Sequence, residues 1–155
     1  MNRKNLFLMV FIGTFLVPFT GCNLKKDQVT GKDATKIQIV NHRGANRLAP
    51  ENTYASAKKA IESGVTYVEV DVRRSKDGVY YNLHDRKLDR TTNGTGLISE
   101  TESSVVDTLD AGSWFGHEFA GERVPRMFDY LKWIKGKAKV YFDMKDFNLE
   151  EFVSK

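Results

Sequence analysis

Eight side chains in this sequence have the types and spacing needed to cleave a phosphoester. His42 and Arg43 follow one β-branched run, and Glu69 and Asp71 lie two residues apart in a second. His84 and Asp85 end a third run, and Asp143 and Lys145 end a fourth. Residues two apart on a strand project from the same face, so Glu69 and Asp71 should face each other's charge. Taken alone, Glu-Val-Asp fits a strand whose polar face meets water. A hard divalent cation with oxygen ligands would relieve the repulsion, with Asp143 as the third carboxylate. Histidine titrates near neutrality, so His42 and His84 suit a general acid and base, in an order that these residues leave open. Arg43 offers a planar fork for a phosphate and Lys145 a point charge.

The elements that must carry these groups follow from hydrophobic period and turn chemistry. Ile37-Gln38-Ile39-Val40 predicts a buried strand, and Pro50 stops what precedes it. A helix is predicted from about Asn52 or Thr53 to Ser63, with Tyr54, Ala57, Ala60 and Ile61 on one face and Gly64 as its stop. A second strand over 65–73 alternates Val68, Val70 and Val72 with Tyr67, Glu69 and Asp71. Strand, helix and strand so close together form a βαβ unit with parallel strands. Asp77-Gly78 predicts a two-residue hairpin, with Lys76 facing Val79 and Asp71 opposite His84. A slip of one residue would still keep His84 beside residues 69–72. The Thr-, Ser-, Gly- and Asp-rich stretch 86–121 reads as an excursion over the strand ends. A helix should resume with Pro125 as its first residue, carry Phe128, Leu131 and Ile134 roughly on one face, and stop at Gly136. A third core strand follows over 139–144, and Asn148-Leu149-Glu150-Glu151 has the form of a capping box. The C-terminal ends of parallel strands converge on one mouth, where ligands bind.

The N-terminus reads differently. Arg3 and Lys4 precede an apolar run from Leu6 to Phe19, which is too short for an ordinary spanning helix and has the shape of a secretory leader. Phe19-Thr20-Gly21-Cys22 resembles a bacterial lipobox, and Cys22 is the only cysteine. Residues 1–22 are therefore expected to be a lipoprotein signal peptide, 23–36 a flexible tether and 37–155 the folded part. An uncleaved N-terminal anchor is the alternative. The product would be secreted across the cytoplasmic membrane and held at the cell envelope by lipid on Cys22. Loss of Arg3 and Lys4 lowers the net charge from +4 to +2, a balance that excludes nucleic acid as an expected partner.

His42-Arg43-Gly44, Pro50-Glu51-Asn52-Thr53, Glu69-Val70-Asp71-Val72, Lys76-Asp77-Gly78, His84-Asp85 and Leu88-Asp89-Arg90-Thr91-Thr92-Asn93-Gly94 occur in that order. Val124-Pro125 and Asp143-Met144-Lys145 continue the series, which resembles the glycerophosphodiester phosphodiesterase family from Ile37 to about Asp146. The resemblance implies an α/β TIM barrel of the phospholipase C-like phosphodiesterase type. About three βα units and an insertion over about 75–121 would be present. It also implies hydrolysis of glycerophosphodiesters, the deacylated phospholipids, to glycerol 3-phosphate and an alcohol. By the same resemblance Glu69, Asp71 and Asp143 would bind one divalent cation, Ca2+ or Mg2+. His42 and His84 would be the acid and base, and Arg43 and Lys145 would hold the phosphate. Glu51 would support the site, with Asp85 beside His84. The third metal position in the family is usually Glu, so Asp143 is one methylene short. A TIM barrel takes roughly 250 residues, so a fragment of a longer reading frame is expected. Two alternatives remain: a lysophospholipase D-like or phosphatidylinositol-cleaving enzyme on the same barrel, and a non-catalytic lipoprotein that binds glycerophosphodiesters. Retention of both histidines and all three carboxylates speaks against the second.

Overall fold

The computed structural model describes residues 38–145 and 149–154. The expected leader, Cys22, the expected tether and Asn148 of the expected capping box lie outside them. Four strands form one sheet: β1 (Val40–Asn41), β2 (Tyr67–Arg74), β3 (Tyr80–Asn82) and β4 (Lys139–Met144). β2 is its centre. Tyr67 and Val68 pair in parallel with both β1 and β4, so those two strands occupy opposite edges of β2. Val72 pairs with Met144 of β4 and with Asn82 of antiparallel β3, so β3 takes over the edge that β1 leaves.

Helix α1 (Tyr54–Glu62) joins β1 to β2. Its start is built locally: Thr53 caps the Ser56 N–H, and Ser56 Oγ accepts from the Thr53 N–H in return. Gly64, at φ +77°, turns the chain off the helix. Ala57 and Ala60 lie under Val68, Val70 and Val72, together with Met127, Tyr130 and Ile134 of α3 (Met127–Ile134) and Phe152 of α4 (Leu149–Val153). The three valines are wholly buried. Each contributes about 1.5–3 kcal/mol relative to an exposed side chain, which fixes this face of β2 against the helices and leaves Glu69 and Asp71 on its other face.

Three expectations are corrected. β1 begins at Val40, and Ile39 is exposed, because its partner would precede the start of β2. Helix α3 begins at Met127, not Pro125. The Pro125 carbonyl accepts from the Asn82 N–H and Arg126 bridges Tyr81, so the chain stays extended through both residues. The hairpin loop has three residues, Lys76, Asp77 and Gly78, closed by the Ser75 N–H donating to the Val79 carbonyl. Gly78 takes φ +86° there. The Asp77 carboxylate accepts from Ser75 Oγ and from the Ser103 N–H and Oγ, which holds the loop toward α2 (Ser103–Val106). The extra loop residue shifts the register by one, so the Leu83 N–H donates to the Asp71 carbonyl and His84 follows it.

The stretch after β3 is also more than an excursion. Leu83, Leu88, Ile98, Val106, Leu109, Ala111 and Val124 bury themselves around Tyr81 in a second small core. The Tyr81 hydroxyl stands 2.7 Å from Asp107 Oδ1 and 3.1 Å from the Ser103 carbonyl oxygen.

One position in the turn after β1 is intolerant of any side chain. Gly44 has φ +76°, and an added Cβ would stand 2.6 Å from Ser56 Oγ and 2.9 Å from the Ser56 carbonyl carbon. Gly44→Ala incurs about 1–2 kcal/mol for the left-handed backbone as well as the overlap with α1. Urea unfolding should show a lower midpoint, and an unchanged midpoint would mean that this turn does not brace β1 against α1.

Candidate active site

Glu69 and Asp71 leave β2 on the face opposite the valines. Glu69 is 6% exposed and Asp71 0%, so this is no water-washed strand. Asp143 stands across from Asp71 in the β2–β4 register. Oxygens of Glu69, Asp71 and Asp143 lie within 4.8 Å of one another. Burial, reinforced by Asp71 and Asp143, pushes the Glu69 carboxyl up to about 7 against the Arg43 N–H bond that favours its ionised form. Asp71 Oδ1 is buried without an aligned hydrogen-bond donor. An all-oxygen donor set with too much negative charge and an unsatisfied carboxylate oxygen fits a hard divalent cation.

Positive groups already lean on this cluster. The Arg43 N–H donates to Glu69 Oε2 at 2.7 Å, a pose reached because Arg43 adopts φ +55°. Arg43 Nε lies 3.4 Å from Asp71 Oδ2, and its Nη1 donates to Glu51 Oε1 at 3.1 Å. Lys145 Nζ donates to Asp143 Oδ2 at 2.5 Å and stands 3.2 Å from Asp71 Oδ1. The Lys145 hydrogen bond holds the Asp143 carboxyl below the usual carboxylate range. Asn52 Nδ2 donates to Asp71 Oδ2 at 2.8 Å, and Asn82 Oδ1 accepts from the Asp71 N–H at 3.0 Å.

His84 lies beside this cluster in sequence register and has its own support. Its Nδ1 is 2.7 Å from Asp85 Oδ1. Hydrogen bonds from Arg90, with a further one from His84, hold the Asp85 carboxyl well below its ordinary value. An ionised carboxylate only accepts, so the proton between the two belongs to Nδ1, and Nε2 is left to exchange protons. Arg73 Nε and Nη2 donate to the His84 carbonyl at 2.9 and 2.8 Å, which pins the backbone. Arg90 also donates to Glu51 at 2.7 and 2.9 Å. Burial pushes the Glu51 carboxyl up, but Arg90 and Arg43 outweigh it and hold it below its usual value. His42 sits exposed on the turn after β1, one residue beyond the Asn41–Val68 pair, and makes no hydrogen bond or ion pair among the described residues.

The structure thus gathers Arg43, Glu51, Glu69, Asp71, Asp143 and Lys145 into one network, ties His84 to Asp85, and leaves His42 unanchored. Asn52, Asn82, Arg73 and Arg90 were absent from the residues expected here. Asn52 and Arg90 stood in the motifs Pro50-Glu51-Asn52-Thr53 and Leu88-Asp89-Arg90-Thr91-Thr92-Asn93-Gly94, which was the signal available for them; in the fold Asn52 adopts φ +59°, a conformation in which Asn is enriched. Arg73 and Asn82 act on backbone atoms, and Arg90 joins Asp85, five residues away, to Glu51, 39 residues away, a link that no local spacing reports.

Comparison with known proteins places this geometry. The profile of the "Glycerophosphoryl diester phosphodiesterase family" matches residues 42–151. A glycerophosphodiester phosphodiesterase of Caldanaerobacter subterraneus is 41% identical over 102 residues, covering 66% of this chain and 42% of that protein. One from Bacillus subtilis is 35% identical over 157 residues, covering 92% of this chain and 52% of its own. The crystal structure of glycerophosphodiester phosphodiesterase from Agrobacterium tumefaciens superposes with a TM-score of 0.74 at 51% identity, covering 76% of this chain and 51% of that one. An Oleispira antarctica phosphodiesterase, in complex with the product sn-glycerol-3-phosphate, gives 0.68 at 39% identity, covering 70% and 44%. The chain spans about half the length of the curated relatives it matches.

Proposed function

Since this chain belongs to the glycerophosphoryl diester phosphodiesterase family and its parallel strands β1, β2 and β4 are part of a TIM-barrel fold, we propose that the complete protein hydrolyses glycerophosphodiesters to glycerol 3-phosphate and an alcohol. The observation that carries this is the meeting of three carboxylates with Arg43 and Lys145 at the strand ends, beside a histidine oriented by its own carboxylate. Glu69, Asp71 and Asp143 would hold one cation, Ca2+ or Mg2+. When bound, such an ion polarises phosphoryl oxygens. Arg43 offers its fork, and Lys145 its ammonium, to the phosphate. His84 exchanges a proton at Nε2, and His42, on the neighbouring strand end, serves as its counterpart. One of the two takes the proton of the attacking oxygen, either water or the adjacent glycerol hydroxyl. In the second case a cyclic phosphate forms and water then opens it. The other histidine gives a proton to the departing alcohol.

The test is release of glycerol 3-phosphate by the complete protein from soluble glycerophosphodiesters, measured beside release of the head-group alcohol from lysophospholipids. Cleavage of the lysolipid alone would move the assignment to the lysophospholipase D-like reading. Binding without cleavage of either would make the protein a receptor.

For location we propose acylation at Cys22. Mass spectrometry of the mature N-terminal peptide should find a lipid-modified cysteine as its first residue. An unmodified Cys22, or cleavage elsewhere, would overturn this.

A further inference from the structure

We infer that Arg90 is a positioning residue of this site, clamping Glu51 to Asp85 so that Arg43 and His84 are held together in their working poses; this rests on the activity proposed above. Arg90 uses two edges of its guanidinium. Nε and Nη2 donate to Asp85 Oδ2 and Oδ1 at 2.7 and 3.0 Å, and Nη1 and Nη2 donate to Glu51 Oε2 and Oε1 at 2.9 and 2.7 Å. Each carboxylate also serves one side chain in the site: Glu51 Oε1 accepts from Arg43 Nη1, and Asp85 Oδ1 receives His84 Nδ1. The chain of contacts runs Arg43, Glu51, Arg90, Asp85, His84, from a phosphate-binding fork to a proton-exchanging ring. Without the central cation, two carboxylates would face each other, and each could turn to other partners.

Stability does not explain the arrangement. The Arg90 side chain is 44% exposed, and exposed ion pairs contribute little. Two bidentate bonds at fixed angles do supply orientation, which an ammonium cannot reproduce because it has no planar fork. The loop that presents Arg90 is itself rigid. Leu88, Thr91 and Thr92 are buried, the Thr92 hydroxyl donates to the Leu88 carbonyl, and Leu88 belongs to the second small core. That core therefore has a use at the active site: it holds the clamp.

The test has two readouts. The first is the tautomer of His84, followed by ¹⁵N imidazole NMR at a pH where the ring is neutral and assigned by its loss in His84→Gln. The intact protein should show Nδ1–H; Arg90→Ala and Arg90→Lys should both show a mixture with Nε2–H. The second is turnover on a glycerophosphodiester. Both variants should lose about 10- to 100-fold in kcat, the usual scale for residues that orient a site's ligands, and added guanidinium ion should restore Arg90→Ala but not Arg90→Lys. Should Arg90→Ala not fold, Arg90→Lys, which keeps the charge, decides alone. Folded variants with the original tautomer and the original kcat would overturn the clamp. If the intact protein cleaves no glycerophosphodiester, the proposed activity fails, while the tautomer of His84 still decides the role of Arg90.

Discussion

Replacing His84 by alanine should slow turnover by about 10²–10⁴-fold, the range for losing a general acid or base, and leave cation affinity nearly unchanged. The separation follows from the geometry. His84 has its bond to Asp85, whereas the oxygens that would bind the cation belong to Glu69, Asp71 and Asp143. His42→Ala should have an effect of the same order, because attack and departure on opposite sides of phosphorus each need a proton moved. A substrate with a strongly acidic leaving alcohol needs no proton from the enzyme. It should rescue the variant lacking the acid and not the one lacking the base. Single-turnover rates on such a substrate, with calorimetric titration of the cation, make the measurement. Rescue of both variants alike, or of neither, would end the pairing of His42 with His84.

The second large effect concerns Asp71. It is wholly buried, with Asn52 and Arg43 on one oxygen and Lys145 near the other. Asp71→Asn removes a charged ligand and also turns an amide N–H₂ toward groups that only donate. Cation affinity should fall by more than the roughly 10–100-fold typical of losing a group that merely supports a ligand, and activity should fall with it. Excess chelator should abolish hydrolysis by the intact protein, and Ca2+ or Mg2+ should restore it. Asp143 tests the same site from its exposed rim, where its side chain is 47% exposed. Asp143→Glu should be tolerated and Asp143→Ala should not. Full activity in chelator would show that the three carboxylates are there for another purpose.

Much of this arrangement could be read from residue order because its determinants are local. The period-two alternation along β2 separates valines from acids before any folding, and Thr53 with Ser56 writes the start of α1 into four residues. β4 falls on residues 139–144 as expected. What escaped depends on contacts made across the chain. The hairpin gained a residue because Asp77 bonds Ser103, 26 positions away. Pro125 stayed extended because Asn82 claims its carbonyl. Arg90 reaches Glu51 across 39 residues, a pairing that no spacing rule encodes. The tight packing of 86–123 was hidden by a composition rich in turn formers, since its few apolar residues converge only after the chain has folded.

The alternation along β2 also sets what kind of genetic change the protein can survive. Val68, Val70 and Val72 face the helices while Glu69 and Asp71 face the carboxylate of Asp143. Deleting or duplicating one codon inside β2 would exchange those faces, pushing two carboxylates against Ala57 and Ala60 and three valines into the mouth. Single substitutions in this strand can be graded from mild to severe, but a change of length has no mild form. Changes of chain length should therefore be tolerated in the loops at either end of β2 and not within Glu69-Val70-Asp71.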